Sequence, residues 1–146
     1  MSFFKSMNIS SSGLAAQRER MNILSTNLAN AQATRGGPDG GPYRRQDVVF
    51  QAKPMGNKFE DLITGANGSH LNKVKVTDIH VDKSAPRMVF DPGHPDANKE
   101  GYVAMPNVQV MAEMVNMIAA TRSFEANATA MEDAKQMAMK ALEIGR

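Results

Sequence analysis

Proline divides this chain into three segments. All seven prolines lie between Pro38 and Pro106, whereas residues 6–31 and 108–144 contain none. A helix interior rejects proline because the residue lacks an N–H and clashes with the preceding turn. The distribution therefore predicts an α+β fold, in which long N- and C-terminal helices flank a middle segment. At about 1.5 Å per residue the second helix would run for about 55 Å, so we expect it to have a partner along its face.

The segment boundaries follow from the same pattern. We expect residues 1–35 to form the N-terminal helix, residues 36–106 a middle module, and residues 107–146 the C-terminal helix. Within the middle module, Val48, Phe50 and Ala52 alternate with other residues, as do Val74 and Val76. Such alternation between glycine- and proline-rich loops predicts a small antiparallel β module of a few strands.

The first helix has a thin apolar stripe. Its main row repeats every seven residues, and a second row between these positions is half polar. The main row is Met7, Leu14, Met21 and Leu28, and the second is Ser10, Gln17, Leu24 and Ala31. Residues 10–13 (SSSG) are also poor helix formers. We therefore expect this end to be helical only when a partner holds it.

The last helix has a longer stripe of the same spacing. Asn107 is a favoured N-cap residue placed directly after Pro106. A sustained spacing of 3.5 residues predicts coiled-coil packing, and Met111, Val115 and Ile118 widen the stripe in the first turns. The first row is Val110, Met117, Phe124, Met131 and Ala138, and the second is Met114, Thr121, Ala128, Lys135 and Leu142.

Composition excludes several classes of function. The chain has no cysteine, so it has no disulfide and no thiolate site, and its formal net charge of +2 does not favour nucleic acid. No window resembles a membrane span or a cleaved signal peptide. We expect the chain to stay in the cytoplasm or to leave by a route that needs no cleaved signal.

The sequence contains no convincing catalytic or metal site. Asp78, His80 and Asp82 alternate along one strand, but such a row is typical of a solvated strand face. No combination of nucleophile, base and oxyanion donors can be assembled from the motifs. We therefore expect a protein that is not an enzyme, with no cofactor and no small-molecule substrate.

Several motifs resemble those of a known family. Residues 11–21 (SSGLAAQRERM) and 27–34 (NLANAQAT) resemble the N-terminal motif of bacterial flagellar rod and hook proteins. Residues 37–50, 91–108 and 113–127 resemble segments of the proximal rod proteins within that family. The likeness covers nearly the whole chain.

The resemblance implies a structural role in the flagellar rod, the driveshaft that crosses the periplasm between motor and hook. It implies export through the flagellar type III apparatus without signal cleavage. Expected partners are other rod proteins and further copies of the same chain in a helical assembly. The terminal helices would form an inner layer and the middle segment would lie outside. The matching interface positions would be Met7, Leu14, Met21, Leu24, Leu28, Val110, Met114, Met117, Phe124, Met131 and Leu142.

Two alternatives remain open from the sequence. The chain could be a different rod subunit of the same axial family, although its short middle segment disfavours the hook protein. It could also be a stand-alone coiled-coil adaptor that binds a partner helix and forms a discrete small oligomer. The presence of the protein in purified basal bodies would separate these cases.

Overall fold

The fold was derived from a computed structural model, which describes residues 3–37, 40–55 and 71–145. Helix α1 spans Phe3–Ala29 and helix α2 spans Val110–Ile144. Between them lie strands β1 (Gln46–Pro54), β2 (Asn72–Val81), β3 (Arg87–Phe90) and β4 (Tyr102–Met105). The predicted α+β arrangement, with long helices at both ends and strands in the middle, is confirmed.

Helix α1 runs without interruption through its serine-rich stretch. The Ser12 hydroxyl donates a hydrogen bond to the Ile9 carbonyl (2.7 Å) and accepts one from the backbone N–H of Val74 in β2 (3.1 Å). These bonds satisfy the hydroxyl, which would otherwise compete with the helical backbone. A strand of the same chain therefore contacts the segment that the sequence predicts to need a partner.

Helix α1 ends at Ala29, earlier than the predicted boundary at residue 35. The Asn30 side chain donates to the carbonyl of Thr26 (2.9 Å), and the backbone N–H of Ala31 turns back to the carbonyl of Leu28 (3.2 Å). The same carbonyl of Thr26 also accepts the backbone N–H of Asn30 (3.1 Å), so the side-chain amide adds a second bond to the last helical turn. The chain then leaves the helix through a tight turn.

The strands form two separate two-stranded sheets, β1 with β2 and β3 with β4. In the first sheet, Asp82 N–H bonds to the Arg45 carbonyl (2.8 Å) at one end and Met55 N–H bonds to the Leu71 carbonyl (3.0 Å) at the other, which is an antiparallel pattern. In the second, antiparallel sheet, Arg87 faces Met105. The prediction of a small antiparallel β module is confirmed, and residues 38–39 and 56–70 of the predicted middle module lie outside the described residues.

The start of α2 differs from the prediction. The first intrahelical hydrogen bond joins Glu113 N–H to the Gln109 carbonyl (3.0 Å), which places Gln109 at the N-cap. Asn107 is not the N-cap, because its side-chain amide donates instead to the carboxylate of Asp82 (3.3 Å). The Asn107 side chain is thus engaged by Asp82, the residue after β2, and the helix begins later than the sequence motif suggests.

The chain divides into two compact units. The first comprises the described residues of Met1–Glu19, Val49–Asp78 and Ala120–Arg146, and the second comprises Arg20–Val48 and Ile79–Ala119. Each unit therefore combines portions of the N-terminal, middle and C-terminal segments. Among the described residues, buried apolar side chains are few and mostly small. They are Ala16, Ala120 and Ala134 in the first unit, and Ile23, Leu24, Ala31, Val103 and Val108 in the second.

Candidate assembly interface

The predicted interface residues fall into two groups by burial. Of those on α1, Leu24 is buried, and Met7, Leu14, Met21 and Leu28 are half-buried. On α2, Met117, Phe124 and Met131 are half-buried, whereas Val110, Met114 and Leu142 are exposed. The buried and half-buried residues pack within the chain, whereas Val110, Met114 and Leu142 remain exposed and available to other molecules.

The second apolar row of α2 does not face inward. Its middle members Thr121, Ala128 and Lys135 are all exposed. The inward row lies one residue earlier, at Glu113, Ala120, Asn127 and Ala134, of which all but half-buried Asn127 are buried. Ala120 and Ala134 are small, so another element can approach the helix closely at these two positions. The row through Met117 is thus half-buried from Met117 to Ala138, whereas its companion row is exposed along its whole length.

A continuous apolar stripe is left on the outside of α2 in the second unit. Met111, Met114, Val115 and Ile118 follow one another at three- and four-residue spacing, which places them on one face. Val115 and Ile118 keep 64% and 63% of their surface exposed. We call these four residues the outward stripe. A contiguous apolar patch of this kind is typical of a site of protein association.

The last turns of α2 also expose large apolar side chains. Met137, Met139, Leu142 and Ile144 are each more than half exposed, and Ile144 reaches 86%. This group belongs to the first unit. The exposed apolar surface on α2 is thus concentrated at its two ends.

A buried polar network holds the inner side of the second unit. Asn27 is fully buried, and its side chain fills all four of its hydrogen-bonding positions. Its amide nitrogen donates to the Gln46 carbonyl (2.7 Å) and to Glu113 Oε2 (3.0 Å). Its oxygen accepts from the Gln46 N–H (3.0 Å) and from the Tyr43 hydroxyl (2.9 Å). One side chain therefore joins α1, the start of β1 and the start of α2.

Glu113 completes this network. The residue is only 1% exposed, and its second carboxylate oxygen accepts a hydrogen bond from Arg45 Nε at 2.7 Å. Arg45 also reaches Asp47 (3.3 Å). A buried carboxylate is tolerated only when it is paired and hydrogen-bonded, and both conditions are met here. We refer to Asn27, Tyr43, Arg45, Gln46 and Glu113 as the Asn27 network.

The network also shifts the protonation equilibria of its members. Burial, followed by the charge of Glu113, raises the pKa of the Tyr43 phenol, so it stays a hydrogen-bond donor to Asn27. Burial alone would lower the pKa of Arg45, but its hydrogen bond and charge interaction with Glu113 raise it overall. The arginine is therefore a permanent cation beside the buried carboxylate.

A second polar contact links the segment after α1 to the β3–β4 connection. Arg35 binds the carboxylate of Asp96 through Nε (2.7 Å) and a terminal nitrogen, and the Thr34 hydroxyl donates to the same carboxylate (2.8 Å). These bonds, led by that of Arg35, lower the pKa of Asp96. The contact fixes the loop that carries residues 91–96.

Sequence reasoning missed the Asn27 network. None of its five residues is among the predicted interface positions. One signal was present: Glu113 follows Val110 by three residues and precedes Met117 by four, so it occupies an inward position. A carboxylate at such a position requires a buried cation, and Arg45 supplies it.

The candidate metal residues do not converge in the described part of the chain. No group of three or more histidine and acidic side chains lies close enough there to hold a metal ion. Asp82 instead accepts hydrogen bonds from the backbone and hydroxyl of Ser84 (2.8 and 2.5 Å), which lower its pKa. Over the same described residues, neither helix is long and apolar enough to cross a membrane.

Comparison with known proteins assigns the family. Residues 7–36 match the family model described as "Flagella basal body rod protein", and residues 99–144 match "Flagellar basal body rod FlgEFG protein C-terminal". The chain is 47% identical to the flagellar basal-body rod protein FlgC of Bacillus subtilis (strain 168), with both chains covered in full. It is 41% identical to FlgC of Borreliella burgdorferi, over 99% of this chain and 98% of that protein. It is 39% identical to FlgC of Salmonella typhimurium (strain LT2), again over the whole of both chains. Asn27 and Glu113, which meet in the buried network, lie one in each of the two matched segments, and the chain belongs to the family of flagellar basal-body rod proteins FlgC.

Proposed function

We propose that this chain is a structural subunit of the flagellar basal-body rod and that it polymerises through its terminal helices. The outward stripe on α2 is the observation that carries this proposal. The inner side of the same helix is already covered at Glu113, Met117 and Ala120. The apolar face that remains exposed is therefore available for a neighbouring subunit.

The assembled rod would act as the driveshaft that transmits torque from motor to hook. Its partners would be other flagellar rod components and copies of the same chain. Residues 1–35 and 107–146 would form the inner layer of the rod, and residues 36–106 would lie outside it. The rod would cross the periplasm, and its subunits would leave the cytoplasm through the flagellar type III apparatus without a cleaved signal.

The small core supports a mechanism of folding during assembly. The apolar residues buried within each unit are mostly alanine, valine and isoleucine, so each contributes little compared with a buried aromatic residue. Large apolar side chains remain exposed at both ends of α2. A chain of this kind can pass a narrow export channel unfolded and gain its remaining stability from subunit contacts.

The outward stripe gives a sharper test than the half-buried positions. Met117→Asp or Phe124→Asp is expected to block assembly, but either change would also disturb packing within the chain. Val115→Asp and Ile118→Asp place a charge on an already exposed position, so the purified variants should keep the wild-type helical signal. Both should abolish swimming and remove the protein from purified basal bodies.

The matched control is Gln136→Asp, which adds the same charge at an exposed polar position of α2 and should leave swimming intact. Normal swimming by both stripe variants would count against assembly through this face. Absence of the wild-type protein from intact basal bodies would reject the rod function itself and favour a separate adaptor.

A further inference from the structure

The apolar rows of the two helices do not by themselves fix how the helices align. Both rows repeat every seven residues, so sliding one helix past the other by seven positions again places apolar side chains against apolar side chains. A contact other than apolar packing must therefore distinguish the observed alignment from the alignments shifted by seven residues.

One contact in each unit shows which residues of the two helices lie beside each other. In the second unit Asn27 bonds to Glu113. In the first unit a Cβ added to Gly13 would lie 3.1 Å from the side chain of Asn127. Each unit, taken by itself, therefore places residues whose numbers add to 140 beside each other.

We propose that the Asn27 network selects this register and is not required for the helices to form. Asn27 binds both backbone groups of Gln46 (2.7 and 3.0 Å), which fixes the position of Arg45 one residue earlier. Arg45 placed in this way meets the Glu113 carboxylate at 2.7 Å. A slide of seven residues moves Glu113 by about 10 Å along the helix axis, which is far beyond hydrogen-bonding distance.

The slid registers each leave a buried group without its partner. In one slid register Asn27 would face Ala120, whose side chain cannot accept its second amide proton, and in the other it would lie beyond the first turn of α2. Glu113 would face Arg20 in one of them and so could stay neutralised. Arg45, whose side chain is only 25% exposed, would lose its main partner in both. Asn27 and Arg45 together, and not the charge of Glu113 alone, therefore discriminate between registers.

The experiment measures the register directly. The chain has no cysteine, so Ser25→Cys and Val115→Cys can carry two spin labels at exposed positions that are level with each other in the observed register. Pulsed electron spin resonance on the full chain should give one narrow distance. In Arg45→Met with Glu113→Met, and in the triple variant that adds Asn27→Leu, a second and longer distance should appear, because one helix has moved by about 10 Å. The helical circular dichroism should stay at the wild-type level.

The control removes a pair outside the network. Arg122 and Glu125 form an exposed ion pair on α2 (3.1 Å), and replacing both with methionine should preserve the single distance. The proposal is overturned if the triple variant keeps one narrow distance. It is also overturned if both network variants lose their helical signal, because the network would then be needed to form the helices. Neither result depends on whether the chain builds rods.

Discussion

The rings of Phe90 and Tyr102 meet edge to face across β3 and β4, with their centroids 5.3 Å apart and their planes at 66°. The two residues are direct cross-strand partners. Such aromatic pairs stabilise a strand pair beyond the area that they bury. The contact depends on Gly101, which precedes Tyr102 and has a φ of 81°.

Gly101→Ala should destabilise the hairpin. A Cβ at this position would lie 2.9 Å from Cε2 of Phe90, and the left-handed backbone itself costs about 1–2 kcal/mol for a residue other than glycine. We expect a loss of about 2 kcal/mol in the free energy of unfolding, measured by urea denaturation. Gly93→Ala is the control, because its added Cβ would make only an ordinary contact at 3.6 Å with Asp91. Equal stability of Gly101→Ala and Gly93→Ala would contradict the requirement for glycine at position 101.

Removal of one partner from the buried ion pair should cost more than removal of both. Arg45→Met leaves the Glu113 carboxylate buried without a cation, and we expect a loss of about 3 kcal/mol. Replacing both residues with methionine should recover part of this loss, because an apolar pair carries no desolvation penalty but the buried Asn27 amide loses its bond to Glu113. Arg122→Met, at an exposed ion pair, should change stability by less than about 1 kcal/mol. Urea denaturation of wild type, Arg45→Met, Glu113→Met and the double variant measures the coupling, and simple additivity would contradict it.

Gly13 should be a glycine because Asn127 lies against it. Alanine is a better helix former by about 1 kcal/mol, but three atoms of the Asn127 side chain would lie 3.1 Å from the new Cβ. We therefore expect Gly13→Ala to stabilise the protein only in combination with Asn127→Ala. A double-mutant cycle of thermal unfolding should give a coupling above about 0.5 kcal/mol. If Gly13→Ala changes the stability equally in the wild-type and the Asn127→Ala protein, the Asn127 side chain does not restrict position 13.

The Asp96 carboxylate should make part of the stability dependent on acid. Its bonds to Arg35 and Thr34 lower its pKa below the ordinary value of 3.8. A carboxylate whose folded-state pKa is lowered contributes stability above its unfolded pKa, and loses it as the pH falls through the folded value. The wild-type protein should therefore lose stability below about pH 4 relative to Asp96→Asn. The stability of Arg35→Gln should depend less on pH than that of the wild type, as it should in Asp96→Asn. Parallel plots of stability against pH for the wild type and both variants would contradict the prediction.

The sequence predicted the parts of this fold that depend on local patterns. The exclusion of proline located both helices, and the alternation of Val48, Phe50, Val74 and Val76 located the first sheet. For one of the two rows of α2, the pattern named the row that begins at Met114, whereas the inward row begins one residue earlier, at Glu113. Methionine and leucine at 114 and 142 satisfied the heptad as well as Ala120 and Ala134 did, and periodicity cannot tell which of two adjacent rows faces inward.

Contacts between distant residues account for what the sequence could not predict. Asn107 is a good N-cap by type, but Asp82, which binds its side chain, is 25 residues away. Asn27 and Glu113 are separated by 86 residues, and neither motif alone specifies the other. The family resemblance identified the segments that contain them but gave no reason for their residue types.

The composition of the core also determines how stability depends on temperature. Four of the eight buried apolar residues in the described part of the chain are alanine. Exposure of apolar surface is what makes the heat capacity rise on unfolding, by about 12–15 cal/mol/K per residue in ordinary domains. Both units should fall below that range, which gives a shallow stability curve with a broad thermal transition. Over the temperatures at which a bacterium swims, the folded fraction of a free subunit would then change little, and the concentration of its neighbours would decide when it folds.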